Sequence, residues 1–367
     1  MKVAFFIGHH KTGSTALQSY LASHYLALLQ AGILYPAVES KGVANNLKIL
    51  LHRQEDTDPT DLNIREPHNA LAFGLLSEAL RTEVPRWHKN LPSGFQMLQT
   101  ITEQINALSP RHMILCSEVM SRFAERGWPK ILPRIHARFA HYDCSIVLNL
   151  RRIDDYLASW HLQSLKFGVV TEPLRRGSQQ RYLKTAHFQY DQIVSRWTQA
   201  LPDARFVVRN YADVMAAGGS VPDFFSQSQI DFAPTGTAGY HNPSLPYAMA
   251  EIMREANNKL PLHRAQMLAY LLNAAQRVEF IPNCDVELFG QHNRNALLAA
   301  FQPVHKNLSN LLGLHAFFPD LDEVALCRPV PEIIAATAAL EGLRQDAKHN
   351  APSDEVRDFL MGLVLES

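Results

Sequence analysis

Val3-Ala4-Phe5-Phe6-Ile7-Gly8-His9-His10-Lys11-Thr12-Gly13-Ser14-Thr15-Ala16-Leu17-Gln18 is the stretch whose reading decides the fold. Val3 to Ile7 is a short apolar run with β-branched and aromatic residues, as expected of a strand covered on both faces. Gly8 and Gly13 bracket a loop and allow backbone geometry that a Cβ would forbid. Ser14 or Thr15 can start a helix that continues through Leu17, Tyr20, Leu21, Tyr25 and Leu28. Such a helix points its free N–H groups, and the positive end of its dipole, at an anion held in the loop.

The spacing nearly matches the triphosphate loop G-x-x-x-x-G-K-[ST]. Gly8, Gly13 and Thr15 are in place, but Ser14 stands where the lysine should follow Gly13, and the loop's lysine is Lys11. In a triphosphatase that lysine reaches the β- and γ-phosphates. Its displacement suits a shorter, diphosphate-like anion.

His10-Lys11-Thr12-Gly13-Ser14-Thr15-Ala16-Leu17-Gln18 resembles the 5′-phosphosulfate loop of bacterial sulfotransferases that use 3′-phosphoadenosine 5′-phosphosulfate (PAPS). A second motif supports the likeness. The apolar run 144–150 ends in Arg151, and Ser159 follows eight residues later, before Trp160. This arrangement resembles the family's 3′-phosphate motif, in which a guanidinium and a hydroxyl meet the phosphate. The resemblance implies a P-loop-like α/β fold of sulfotransferase type and a cosubstrate, PAPS, released as the bisphosphate PAP. It assigns cofactor binding to Lys11, Thr12, Gly13, Ser14, Thr15, Arg151 and Ser159. It also implies an acceptor pocket shaped by the insertion between the first two core strands. Arg152 either helps with the phosphate or faces solvent. Tyr211 matches loosely a segment of the family that lies near adenine.

Met113 to Cys116 is a second apolar run, ending at Ser117-Glu118. Ligand sites of open parallel sheets gather at the carboxyl ends of strands, which brings Glu118 near the loop. A carboxylate there can take a proton from an acceptor. Capping the next helix or pairing with an arginine is its structural alternative, and His10 is the competing base. Lys11 completes the catalytic set; His9 reads as structural. No metal is expected, since lysine and backbone donors can neutralise the leaving group.

Residues 204–209 form a further strand, and the run around Ile33-Leu34 a short extended piece. The whole is an α/β protein: a parallel sheet of four or five strands flanked by helices, with a mostly helical carboxy-terminal region. The expected division is 1–235 for the PAPS-binding core and 236–367 for helices packed on the same domain. Asp56 to Asp61 and Thr235 to Gly239 read as breaker and linker. His52, His68 and His88 read as surface residues, and the basic run Lys166, Arg175, Arg176, Arg181 and Lys184 as a solvated loop.

The 367 residues are 47% hydrophobic and 19% charged with zero formal net charge, so nothing global favours nucleic acid or an anionic membrane. Four scattered cysteines lack metal-ligand spacing and fit reduced thiols. The amino terminus is too short in apolar residues for a signal peptide, and no run reaches membrane-spanning length. A full-length cytoplasmic enzyme is expected, with a small-molecule or glycan acceptor carrying a hydroxyl or amine. An atypical P-loop kinase and a non-catalytic nucleotide-binding protein are the alternatives.

Overall fold

The computed structural model describes residues 1–51, 61–125, 131–235 and 243–365. His52, most of the Asp56–Asp61 breaker and residues 236–239 of the Thr235–Gly239 linker lie outside them. The chain divides into two compact units. The first comprises residues 1–151, 189–241 and 307–317, and the second 152–188, 242–306 and 318–367. Residues 152–188, grouped with the core in the sequence reading, therefore belong to the second unit.

The first unit is built on a five-stranded sheet, all parallel. Its strands are β1 (Lys2–Phe6), β2 (Ile33–Leu34), β3 (His112–Cys116), β4 (Asp143–Leu150) and β5 (Arg205–Asn210), in the order β2-β3-β1-β4-β5. Its helices are α1 (Ser14–Ser23), α2 (Tyr25–Gln30), α3 (Ser40–Leu50), α4 (Leu62–Arg65), α5 (Pro67–Leu80), α6 (Gly94–Leu108) and α7 (Ile131–Phe139). After α8 (Ile153–Lys166), which belongs to the second unit, come α9 (Tyr190–Ala200), α10 (Tyr211–Ala216) and α11 (Ser220–Ser228).

Strand alternation explains why β1 is apolar from Val3 onward. Ala4 and Phe6 join a core with Leu17 and Leu21 of α1 and Phe224 and Phe225 of α11. Phe5 turns to the opposite face, where its ring meets Phe139 of α7 at 5.4 Å and Trp197 of α9 at 6.1 Å. Helices thus cover both faces, as an all-parallel sheet requires.

The helix expected to run from the loop through Leu28 is broken at His24, whose backbone leaves helical geometry (φ −105°, ψ 21°). His68 and His88 are not surface residues. The backbone N–H of Cys116 donates to His68 Nδ1 (3.0 Å), and burial pushes the His68 pKa down to about 3. His88 Nδ1 lies 2.9 Å from Asn63 Oδ1. Both correct the surface assignment: α5 needs apolar and neutral partners against β3, and a neutral imidazole supplies one.

The second unit is mostly helical: α8, α12 (Ala250–Lys259), α13 (Arg264–Ala274), α14 (Gln291–Leu311, counted with the first unit from residue 307), α15 (Glu332–Asn350) and α16 (Asp354–Gly362). A two-stranded parallel ribbon pairs Val286–Glu287 with Val330–Pro331. The basic run is a solvated loop only in part. Arg175 donates to Glu251 (2.9 Å) and Glu332 (2.5 Å), Arg181 to Thr171 (2.6 Å) and Lys166 to the Pro243 carbonyl (2.7 Å). Buried Glu251 and Glu332 require counter-charge, which Arg175 and Arg254 supply. Arg176, Arg181 and Lys184 are exposed.

Cys116 and Cys144 are buried, Cys284 and Cys327 exposed, and all four are free thiols. Among the described residues no helix is long and apolar enough to cross a membrane.

Truncating the central ring tests this packing. Phe5→Ala is expected to lower unfolding free energy by about 3–5 kcal/mol, as large-to-small changes of buried aromatics do. Urea denaturation followed by near-UV circular dichroism measures it.

Candidate functional site

The site grows from the carboxyl end of β1. The Ile7 N–H donates to the Val147 carbonyl, the His9 N–H to that of Asn149 (2.7 Å) and the Asn149 N–H to that of Gly8 (2.6 Å), so the loop opens while still joined to β4. On its other side the Ser117 N–H donates to the Phe6 carbonyl. Gly8 (φ 99°) and Gly13 (φ 86°) occupy the left-handed region, as does Lys11 (φ 61°). A Cβ on Gly8 would stand 2.6 Å from Glu118 Cα, and one on Gly13 would stand 2.8 Å from Ser220 Oγ. The Ser220 hydroxyl donates to the Gly13 carbonyl (2.8 Å) and ties α11 to the loop.

Gly13 precedes α1, and no side chain caps that terminus. The N–H groups of Ser14 and Thr15 thus begin a helix whose dipole favours an anion. The Thr12 hydroxyl is committed to the His9 carbonyl (2.6 Å), so that residue stabilises the loop and has only its backbone to offer a ligand. Lys11 is half-buried in the loop. His9 is fully buried, with its ring 5.4 Å from that of Tyr190.

Glu118 begins a 3₁₀ turn directly after β3, and the Ser117 hydroxyl caps that turn. Glu118 is enclosed by amides. Gln18 Nε2 donates to its Oε2 (3.2 Å), and Asn69 Nδ2 approaches its Oε1 at 3.4 Å while donating to Glu66 (3.0 Å). Ser117 Oγ and Gln18 Nε2 in turn fix Asn69 by donating to its Oδ1 (2.6 and 3.0 Å). Burial, and secondly the carboxylate of Glu66, push the Glu118 pKa up to about 7. His10 Nδ1 stands 3.9 Å from Glu118 Oε1. Burial, His9, Arg122 and Lys11 hold the His10 pKa well below its ordinary value, so the two base candidates meet as a carboxyl and a neutral imidazole.

Arg151 leaves the carboxyl end of β4. Its guanidinium lies over the Tyr211 ring, 5.6 Å from the centroid, and its carbonyl accepts from the Tyr190 hydroxyl (3.1 Å). Ser159 lies half-buried on α8 in the second unit, at the spacing the motif requires. Arg152 is excluded as a phosphate ligand, because it is engaged by Asp154 (2.9 Å), Asp320 (2.6 Å) and Glu323 (2.6 Å). Asp154 and Asp155 occupy the first turn of α8.

Loop, Glu118 and Arg151 therefore come together at one edge of the sheet, from neighbouring strands. Sequence reasoning missed Glu66 and Asn69, which no local pattern marks. Gln18 could have been found, being one turn after Ser14 on the same face of α1.

No protein-family model matches the chain, and no solved structure matches it. An uncharacterized protein of Archaeoglobus fulgidus is 31% identical over 137 residues, 36% of this chain and 36% of the relative. The chain thus spans about a third of the length of the relative it matches.

The raised Glu118 carboxyl makes stability depend on pH. Folding favours its protonated form; that contribution is full below the ordinary value near 4.5 and is lost as pH rises through about 7. Glu118→Gln keeps the shape without titrating. Its unfolding free energy relative to the parent is expected to rise by roughly 3 kcal/mol from pH 4.5 to 8, the equivalent of the shift. Urea melts across that range measure the difference; a pH-independent gap would refute the buried carboxyl.

Proposed function

We propose that this protein is a sulfotransferase that moves a sulfuryl group from PAPS to a hydroxyl or amine. The observation that carries the reading is the lateral order of groups along the sheet edge. The base candidate Glu118 follows β3, the lysine-bearing anion loop follows central β1, and Arg151 follows β4. Adjacent strands lie about 4.8 Å apart. Two anion-binding elements on neighbouring strands, with a carboxyl on the far side of the loop, suit a nucleotide with phosphates at its 5′ and 3′ positions.

The residues fit such a group. Gly8 and Gly13 keep the loop clear of side chains where it presses on Glu118 and Ser220, and α1 begins with backbone donors that no side chain caps. Lys11 and the N–H groups of Ser14 and Thr15 would hold the 5′-phosphosulfate, and Arg151 would hold the 3′-phosphate. PAPS supplies the sulfuryl group. Glu118 takes the proton of the acceptor as the new S–O or S–N bond forms, and Lys11 with the first turn of α1 offsets charge on the departing phosphate oxygen. Glu118 suits this role better than His10, because its pKa of about 7 lies near an operating pH whereas burial makes His10 a poor proton acceptor. Gln18 and Asn69 aim the carboxylate. The activity is expected to fall below about pH 7 as Glu118 protonates.

Calorimetric titration with adenosine 3′,5′-bisphosphate, beside ATP with Mg²⁺, tests the reading. The bisphosphate is expected to bind without metal, and Arg151→Ala to weaken it by about 1.5–3 kcal/mol, the worth of charge-assisted bonds. Lys11→Ala is expected to act similarly. Binding of ATP with Mg²⁺ and indifference to the bisphosphate would overturn the proposal.

A further inference from the structure

A cavity of about 210 Å³ opens in the first unit between α1, the segment after β2, α3 and α4. Its polar lining consists of hydroxyls and carboxamides: Ser19, Ser23, Tyr25, Tyr35, Asn45 and Asn46. Its charged residue, Arg65, is held by Glu66 at 3.0 Å, and among the described residues no carboxylate lines it. Pro36, Ile49 and Ile64 supply apolar wall.

Three lining residues are tied to the Glu118 cluster, two as chain neighbours of its members and one by charge. Ser19 follows Gln18, which donates to Glu118, and Pro67 follows Glu66, which Asn69 links to Glu118. Tyr35 belongs to both places. It lines the cavity, while its hydroxyl is buried with no hydrogen-bond partner among the described residues. That hydroxyl feels the carboxylates of Glu66 and Glu118, which add to burial in raising its pKa. A buried hydroxyl without a partner is costly unless a ligand or water completes it.

We infer that this cavity binds the acceptor and that the acceptor is a neutral polyol ring, a single sugar unit, presenting one hydroxyl toward Glu118. The inference rests on the sulfuryl-transfer reading. Hydroxyl and carboxamide groups both donate and accept, which matches the hydroxyls around a sugar ring. A phenol has one such group and would leave most of the lining unmatched. An acidic sugar would meet a guanidinium already neutralised by Glu66. The volume lies below the roughly 300–1,000 Å³ of sites for drug-sized ligands, so one ring fits and an extended aromatic does not.

The test is saturation-transfer NMR on the full chain with methyl glucoside, methyl galactoside and methyl mannoside, beside phenol and glucuronate. Each is measured with and without adenosine 3′,5′-bisphosphate, whose own affinity is read by calorimetry. At least one neutral glycoside is expected to bind, and Ala22→Phe, which fills the cavity from α1, to weaken it by about tenfold or more while bisphosphate affinity stays unchanged. Tyr35→Phe is expected to weaken the same glycoside and not the bisphosphate. Ser23→Trp, at the exposed mouth, replaces Ala22→Phe if the latter does not fold. Absence of glycoside binding, preference for phenol or glucuronate, or a glycoside indifferent to the blocking variant would overturn the inference, even with bisphosphate bound. Glycoside binding without any bisphosphate binding would fell the donor reading and leave the cavity a sugar site.

Discussion

The site depends on one close approach, that of Gly8 to the backbone of Glu118. A hydrogen fits between them and a methyl group does not, since a Cβ on Gly8 would sit inside contact distance of Glu118 Cα, Cβ and carbonyl oxygen. The approach follows from the sheet. β1 lies between β3 and β4, so the chain leaving it is hemmed by the ends of both neighbours and must turn with positive φ at once. The backbone bonds to Asn149 on one side and Ser117 on the other hold the turn there. A loop so gripped presents its donors in a fixed array, and preorganised donors are what electrostatic stabilisation of a developing anion needs.

The same approach leaves Glu118 half-buried, and that loss of water gives the carboxyl its character. In water it would be ionised at neutral pH; beneath the loop, beside Glu66, its pKa rises to about 7. Amides rather than arginines surround it. Gln18 and Asn69 donate one hydrogen bond each, enough to orient the group but not to hold it charged as an ion pair would. A guanidinium in their place would pull the carboxyl far down and make it a poor proton acceptor. Arg152 shows the contrasting case: with Asp154, Asp320 and Glu323 around it, it forms a closed structural cluster with no capacity left for a ligand.

The strands and the loop were legible because their signals are local. A β-branched apolar run buried on both faces, followed by two glycines five residues apart, has few other solutions. The base candidate was legible from strand-end topology alone. What was not legible depends on residues far apart in sequence. Glu66 and Asn69 lie about fifty residues before Glu118, in a region whose pattern says only that it is helical and polar. His68 is polar by type but buried because the Cys116 N–H needs an acceptor there. That Arg152 is engaged within the fold cannot be read from Arg-Arg itself, because it is decided by carboxylates some 170 positions onward. Within the basic run 166–184, Arg175 was illegible for the same reason, since its counter-charges Glu251 and Glu332 come from α12 and α15.

The insertion between β2 and β3 follows the same logic one step further. Edge strand β2 is only two residues long, so the chain beyond it is not bound to continue as sheet and turns at Tyr35-Pro36 into helices. Those helices contribute Glu66 and Asn69 to the Glu118 cluster and Asn45 and Asn46 to the neighbouring cavity. One segment thus sets both the electrostatics of the candidate base and the lining of the space beside it. A substitution within α4 or early α5 that shifts Glu66 must therefore alter proton affinity at Glu118 and the neutralisation of Arg65 together. In this fold the proton affinity of the candidate base and the charge of the cavity lining are two consequences of one carboxylate.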